Sequence, residues 1–215
     1  MIPDPIICAK WGGFVKDIKG RDTAKYQFAT AGNKQICIWK LDAKTGTLEH
    51  ETINTGSTIR EYISMDFSKN KEDYLFVGTT SGDFLIFQMK TLILSAIVNV
   101  CAQGVTSINT LTKDLLVVGG GNGTIAFYKV DGNQCTNIGK QTVTGAVNSL
   151  SATGNKALLL AATDRGFVYR ITTADQQKVL HCENHTESVL FLTYPWGVSD
   201  KFGSTSEDQT IRLWD

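Results

Sequence analysis

The chain of 215 residues is 42% apolar and 20% charged, enough apolar content to bury the core of one or two globular domains. Its 21 basic side chains balance 21 acidic ones, and zero net charge argues against a general nucleic-acid or acidic-membrane binder, either of which needs a basic surface. Five scattered cysteines (Cys8, Cys37, Cys101, Cys135, Cys182), no leader peptide and no apolar run near the ~20 residues of a span read as reduced thiols of a cytoplasmic protein that is not in the membrane.

The apolar residues alternate or come in runs of four to six, and no window holds a capped helical period, so the chain reads as all-β. After two prolines, Ile6–Ala9 reads as an outer strand whose own sheet is otherwise missing. Phe14–Ile18, Tyr26–Ala31, Ile36–Leu41 and Leu48–Thr52 follow as a first group of four strands. Tyr62–Phe67, Tyr74–Gly78, Phe84–Gln88 and Ala96–Val100 make a second, and Val105–Thr110, Leu115–Val118, Thr124–Lys129 and a weakly marked Cys135–Gln141 a third. Val147–Ala152, Ala157–Ala162, Phe167–Ile171 and Lys178–Cys182 make a fourth. Val189–Tyr194, Phe202–Ser206 and Thr210–Trp214 are three strands of a fifth. Twenty glycines against three prolines suit such short strands joined by tight turns.

One hairpin recurs through this series. It is strongest in KFGSTSEDQTIRLWD (Lys201–Asp215), where Glu207, Asp208 and Gln209 separate two alternating runs and Phe202, Ile211 and Leu213 are expected to face inward. Weaker copies are FATAGNKQICIW, LFVGTTSGDFLIF, LLVVGGGNGTIAFY and LLLAATDRGFVYR. Aligning the turns puts Trp39, Phe87, Tyr128, Arg170 and Trp214 in one column, about 48, 41, 42 and 44 residues apart. It puts Asn33, Ser81, Asn122, Asp164 and Asp208 in another, all small side chains able to cap a turn by accepting backbone N–H groups.

The period and the Trp214-Asp215 ending resemble the WD40 repeat family. The resemblance implies a β-propeller with one four-stranded blade per repeat, here at about 11–53, 58–100, 104–141, 146–182 and 188–215 of a single segment spanning 1–215. Rings of this family carry about six to eight blades, so five blades, the last without an outer strand, read as an incomplete propeller. Such a propeller is expected to self-associate through open blade ends, or to close with Ile6–Ala9 as the missing strand of blade five.

The resemblance also implies a structural tetrad in blade five: His185 from the lead-in loop, Ser204 on the second strand, Asp208 in the turn and Trp214. Blades one to four lack the loop histidine, blades two to four lack the Trp, and Arg170 stands in its column in blade four, so those blades should depend on apolar packing. Nothing among the residues points to a cofactor or metal. Gly119–Gly123 lacks the G-x-G-x-x-G spacing and leads into a strand, not a phosphate-binding helix. The cluster from His181 to His185 has no second pair of ligands for zinc. The Asp–His–Ser set has no oxyanion hole or nucleophile elbow beside it. Candidate partner contacts, on turns and lead-in loops, are Lys34, Arg60, Glu61, Asp83, Arg165 and Glu207. Trp11 and Trp196 fall in loop-like settings where core and contact roles both stay open.

The fill of the repeats, in ATAGNKQICIWKLD, LFVGTTSGDFLIFQM, LLVVGGGNG and HTESVLFLTYPWGVSDKFGSTSEDQTIRLWD, resembles WD-repeat proteins of motile axonemes along nearly the whole chain. That resemblance implies a non-catalytic scaffold of the cilium or flagellum that stabilises doublet microtubules from inside, with tubulin and inner-junction proteins as partners. The competing expectation is an adaptor propeller that presents substrates in a ubiquitin-ligase or signalling complex.

Overall fold

The computed structural model describes residues 5–17, 19–69, 74–194 and 201–214. They form 19 strands and no helix. Blade one is β1 (Ile6–Lys16), β2 (Asp22–Gly32), β3 (Ile36–Asp42) and β4 (Leu48–Thr52). Blade two is β5 (Tyr62–Phe67), β6 (Tyr74–Thr79), β7 (Asp83–Gln88) and β8 (Ile93–Asn99). Blade three is β9 (Val105–Thr112), β10 (Leu115–Gly120), β11 (Thr124–Asp131) and β12 (Gln134–Thr142). Blade four is β13 (Val147–Ala152), β14 (Leu158–Thr163), β15 (Phe167–Thr172) and β16 (Lys178–Glu183). Blade five is β17 (Val189–Thr193), β18 (Phe202–Ser206) and β19 (Ile211–Trp214). Each sheet is an antiparallel meander in chain order, the expected sheet of an incomplete WD40-type β-propeller.

The period of two puts alternate side chains of each strand on opposite faces, and successive blades pack face to face. Ala29, Ala31, Ile36 and Ile38 of blade one form one buried cluster with Tyr62, Met65, Phe67, Leu75, Val77, Leu85 and Phe87 of blade two. The opposite face of blade two gives Phe76, Phe84 and Ile86 to a cluster with Val105, Leu116, Val118 and Tyr128 of blade three. Val117, Ile125 and Phe127 then join Val147, Leu159, Ala161 and Ile171 of blade four. Phe76, Phe84 and Phe127 are fully buried, and each such side chain stabilises by roughly 1.5–3 kcal/mol. Hydroxyls pin the inner strands: Ser64 Oγ donates to Val105 O at 2.6 Å, and Thr106 Oγ1 to Val147 O at 2.5 Å. A Cβ on Gly78 would lie 2.3 Å from Ser64 Oγ and 2.6 Å from Val105 Cγ1, so this contact depends on glycine.

Asp66 ties three blades together. It is 2% exposed; its Oδ2 accepts Thr110 N–H of blade three at 2.7 Å, and its Oδ1 meets Lys10 Nζ of blade one at 3.2 Å. All five cysteines are free thiols, and burial pushes Cys8 and Cys135 up to about 11.

Three expectations are corrected. Ile6–Ala9 is not a clasp for blade five; it opens β1, where Ile6, Cys8 and Ala9 pair with Gly32, Ala31 and Thr30. The strand passes through the Trp11–Gly13 stretch on a register shift, with Gly13 at φ 100°. Ile211 and Leu213 do not face inward; they are 78% and 84% exposed, because no described blade covers their face of blade five. Phe202 lies on the opposite face, stacked on Trp214 at 6.0 Å. Third, blade four was read one residue out of register. Leu159 pairs with Ile171 as Leu75 pairs with Phe87, so buried Ile171 fills the column given to Arg170, which is exposed. The positive-φ turn residues, Lys34, Gly82, Gly123, Gly166 and Gln209, then align, and the residue before Gly166 is Arg165, not Asp164.

Candidate functional site

Blade five brings together the four residues that its sequence singles out. His185 sits in the loop between β16 and β17, Ser204 on β18, Asp208 in the following turn and Trp214 on β19. His185 Nδ1 lies 2.9 Å from Asp208 Oδ2, and Nε2 lies 2.7 Å from Ser204 Oγ. Trp214 Nε1–H donates to Ser204 Oγ at 2.7 Å. Every group is satisfied when Nδ1 carries the imidazole proton: Nδ1–H donates to Asp208, the Ser204 hydroxyl donates to Nε2, and Ser204 Oγ accepts the indole N–H.

Asp208 also ties the loop to the turn. Its Oδ2 accepts Thr186 N–H at 3.0 Å, and its Oδ1 accepts Thr210 N–H at 2.9 Å and Thr210 Oγ1–H at 2.6 Å. Burial opposes ionisation of this carboxyl, but the bonds from the Thr210 hydroxyl, His185 and the Thr186 and Thr210 amides outweigh it and hold the group well below the usual carboxylate range. A nucleophilic serine needs access to an electrophile, whereas Ser204 is 2% exposed and its oxygen is occupied by the indole. The chain of bonds runs from Asp208 through His185 and Ser204 to Trp214 and so holds the loop, turn and second and third strands of the blade.

The other turn positions divide. Asn122 Oδ1 accepts Thr124 N–H at 3.1 Å, a local cap. Asp164 Oδ1 accepts Ala146 N–H at 2.7 Å and so reaches the loop that leads into its own blade. In blade two the Ser81 amide is bound by the Thr79 hydroxyl. Asn33 Oδ1 is buried without a hydrogen-bond partner, so it does not cap as expected.

Among the candidate contacts, Lys34, Glu61, Arg165 and Glu207 are exposed. Asp83 is not: it is 4% exposed and held by the Thr79 hydroxyl and by Arg60 Nε at 3.3 Å. Asp83 and Arg60 are therefore a pair that fastens the loop before β5 to the turn before β7. One backbone bond recurs along this rim in blades two to five, from the turn to the loop entering its own blade: Thr80 N to Glu61 O, Gly121 N to Gly104 O, Asp164 N to Ala146 O and Glu207 N to Ser188 O. It places Asp164 in the column of Glu207. Between blades four and five the rim opens into a cleft of about 620 Å³ with Asp164, Arg165, Phe167 and Glu187 on its walls. Trp11 is on β1 and 62% exposed, and Trp196 and Asp215 lie outside the described residues.

The sequence reading missed a second indole–hydroxyl pair. Trp39 Nε1–H donates to Thr30 Oγ1 at 2.8 Å, and Trp39 stacks on Phe28 at 5.9 Å, repeating the Phe202, Ser204 and Trp214 arrangement in blade one. Its signal was an aromatic residue followed two positions later by Ser or Thr, in Phe28-Ala29-Thr30 and Phe202-Gly203-Ser204. Asp66 was missed as well, and no local motif marks it.

Comparison with known proteins adds the following. Residues 18–149 match the family model described as LRRK2 beta propeller, and residues 176–215 match the WD domain, G-beta repeat. The chain is similar to "Cilia- and flagella-associated protein 52" of Homo sapiens, 28% identical over 190 residues, covering 87% of this chain and 30% of that protein. The Mus musculus protein of the same name is 27% identical over 190 residues, with the same coverage. The Chlamydomonas reinhardtii protein is 24% identical over 208 residues, covering 94% of this chain and 33% of its own length. The chain thus spans about a third of the length of the curated relatives it matches.

Proposed function

The chain belongs to the LRRK2 beta propeller family, with a WD repeat at residues 176–215, and on that premise we propose that it is a non-catalytic assembly scaffold of the ciliary or flagellar axoneme. The observation that carries this reading is the similarity to cilia- and flagella-associated proteins from human to Chlamydomonas, which runs along 87–94% of the chain. The finer proposal is a place on doublet microtubules, against tubulin and neighbouring inner-junction proteins, where the propeller stabilises the doublet and supports motility.

The geometry is consistent with that role. The bonds of His185 with Asp208 and of Arg60 with Asp83 tie a loop to its turn, and that of Asp66 with Thr110 ties two blades, which stiffens the surface that a partner meets. The exposed rim charges Lys34, Glu61, Arg165 and Glu207 are mixed in sign, which suits contact with a protein surface more than with a polyanion. The test is fractionation of ciliated cells that express the tagged chain. The expected result is retention with the axoneme after detergent removes membrane and matrix. Recovery in the soluble extract, bound to a cullin-type ligase, would support the adaptor role instead.

A further inference from the structure

The junctions between successive blades are built from matching columns, and the strand registers show which residues fill them. On the leading blade one column holds Ile38, Ile86 and Phe127; on the following blade one holds Leu85, Ala126 and Tyr169. In each of the first three junctions these two columns meet in one apolar cluster. The junction of blades four and five differs in both. Arg170 pairs with Leu160 as Ile86 pairs with Phe76 and Phe127 with Val117. Arg212 pairs with Ser204 as Leu85 pairs with Val77 and Ala126 with Val118. Two guanidinium groups therefore stand on facing walls where the other junctions place two apolar side chains. Arg170 makes no hydrogen bond or ion pair among the described residues. Arg212 Nη1 donates to Glu183 O, but Nη2 lies 3.9 Å from Glu183 Oε1, beyond hydrogen-bonding reach, and Nε is buried without a partner. The junction stands open around them: Val105 and Val147, which begin the inner strands of blades three and four, are fully buried, whereas Val189, which begins that of blade five, is half exposed.

We propose that this junction binds the carboxylate of an acidic segment of a partner protein, held between Arg170 on the wall of blade four and Arg212 on the wall of blade five. Two facing cations repel each other and keep the junction from closing as the others do; an anion between them removes that repulsion. A guanidinium presents its N–H groups in a planar fork that matches a carboxylate, and the two oxygens can be shared between two such groups. The one acid beside the pair, Glu183, is half exposed and leaves two cations to one carboxylate. Leu160 and Val179, the cross-strand neighbours of Arg170, are exposed and give the stem of a glutamate side chain an apolar surface, which a free phosphate would not use. Asp164 and Glu187 would repel an acidic segment at the rim cleft. Arg170, however, lies three residues along β15 from Phe167 in that cleft, about 10 Å away, so the segment reaches it from the side of the outer strand β16.

Fluorescence anisotropy tests this with a short labelled peptide of alternating Glu and Gly, its Gln counterpart, the wild-type chain and the variants Arg170→Ile, Arg212→Leu and Arg165→Ala. Ile and Leu are the residues of the matching columns in blade two, and circular dichroism checks that each variant folds. The Glu peptide should bind the wild type, and the Gln peptide should bind about tenfold or more weakly. Arg170→Ile and Arg212→Leu should each weaken binding of the Glu peptide about tenfold or more. Arg170→Ile leaves the bond of Arg212 to Glu183 intact, so its loss of binding does not come from blade five working loose. Arg165→Ala removes an exposed rim charge outside the pair and should change affinity less than about twofold. No binding to the wild type, unchanged binding to Arg170→Ile, equal losses in all three variants or equal binding of the Gln peptide would each overturn the proposal. Displacement of the peptide by inorganic phosphate at equal concentration would assign the pair to a free oxyanion and overturn the partner segment. Amide hydrogen exchange locates the site: the bound Glu peptide should slow exchange in both β15 and β17–β19, and protection of neither wall would overturn a site between them.

Discussion

Ser204→Ala should destabilise blade five more than any other single hydroxyl deletion among the described residues. The hydroxyl is 2% exposed and serves two partners at 2.7 Å each, the Trp214 indole and His185 Nε2. Its loss strands both. A stranded buried polar group costs about 1–3 kcal/mol, and the indole can recover part of that by turning toward solvent, so the total should be about 2 kcal/mol. Thr30→Val is the matched control in blade one, where the hydroxyl serves the Trp39 indole; it should cost about 1 kcal/mol. Trp214→Phe keeps the stacking on Phe202 and removes only the indole N–H. The Ser204→Ala/Trp214→Phe double-mutant cycle should therefore return a coupling of about 1 kcal/mol. The assay is urea unfolding combined with amide hydrogen exchange. No buried apolar cluster among the described residues joins blade five to blade four, so the gain in exchange should concentrate on β17–β19. A coupling within about 0.3 kcal/mol of zero, or an exchange change spread evenly over all blades, would refute the network.

Gly78→Ala should cost about 1–3 kcal/mol by overpacking, since the new Cβ meets Ser64 Oγ and Val105 at the junction of blades two and three; thermal melting reads it, and an unchanged melt would show that the junction is looser than described. Asp66→Ala should cost about 2–3 kcal/mol because it leaves the Thr110 amide unpaired, whereas Lys10→Ala, at a side chain 40% exposed, should cost less than about 1 kcal/mol; equal effects in denaturant titrations would contradict the placement of Asp66. For Asp208 the folded-state pKa is depressed, so its stabilising contribution is fully present above the unfolded value near ~3.9 and is lost as pH falls below it. Wild type should therefore lose stability relative to Asp208→Asn between neutral pH and about pH 2, with the difference arising below about pH 4; parallel curves would mean that the carboxylate is not held as the geometry shows.

Much of this fold was legible because a strand period of two, broken by turn residues at a spacing near the blade length, leaves few alternatives. Register was less so. In blade four, Asp164 drew the alignment because it looks like the other small turn residues, but the backbone aligns on the positive-φ position, which is glycine in only three of five blades. Ile6–Ala9 and Phe14–Ile18 were separate strands in the sequence pattern, whereas β1 runs on through Gly12 and Gly13 to Lys16, because a bulge is a tertiary accommodation that no local pattern marks. Alternation told which residues share a face of blade five but not which face is covered, so Ile211 and Leu213 were placed inward. His185, Ser204, Asp208 and Trp214 could be named in advance through the resemblance to the WD40 family, since no other blade of this chain carries the loop histidine. Asp66 could not, since its partners Lys10 and Thr110 meet it only when three blades pack around the inner strands.

The central claim, a scaffold that acts on axonemal doublets, is tested most directly by rebinding. Purified chain is added to doublet microtubules stripped of their non-tubulin proteins by salt, with singlet microtubules as the control, and the pellet is quantified after sedimentation. The account predicts saturable binding to doublets, weak binding to singlets, and restored binding density when inner-junction proteins are added back. Binding that is equal on singlets and doublets, or absent from both, would contradict it.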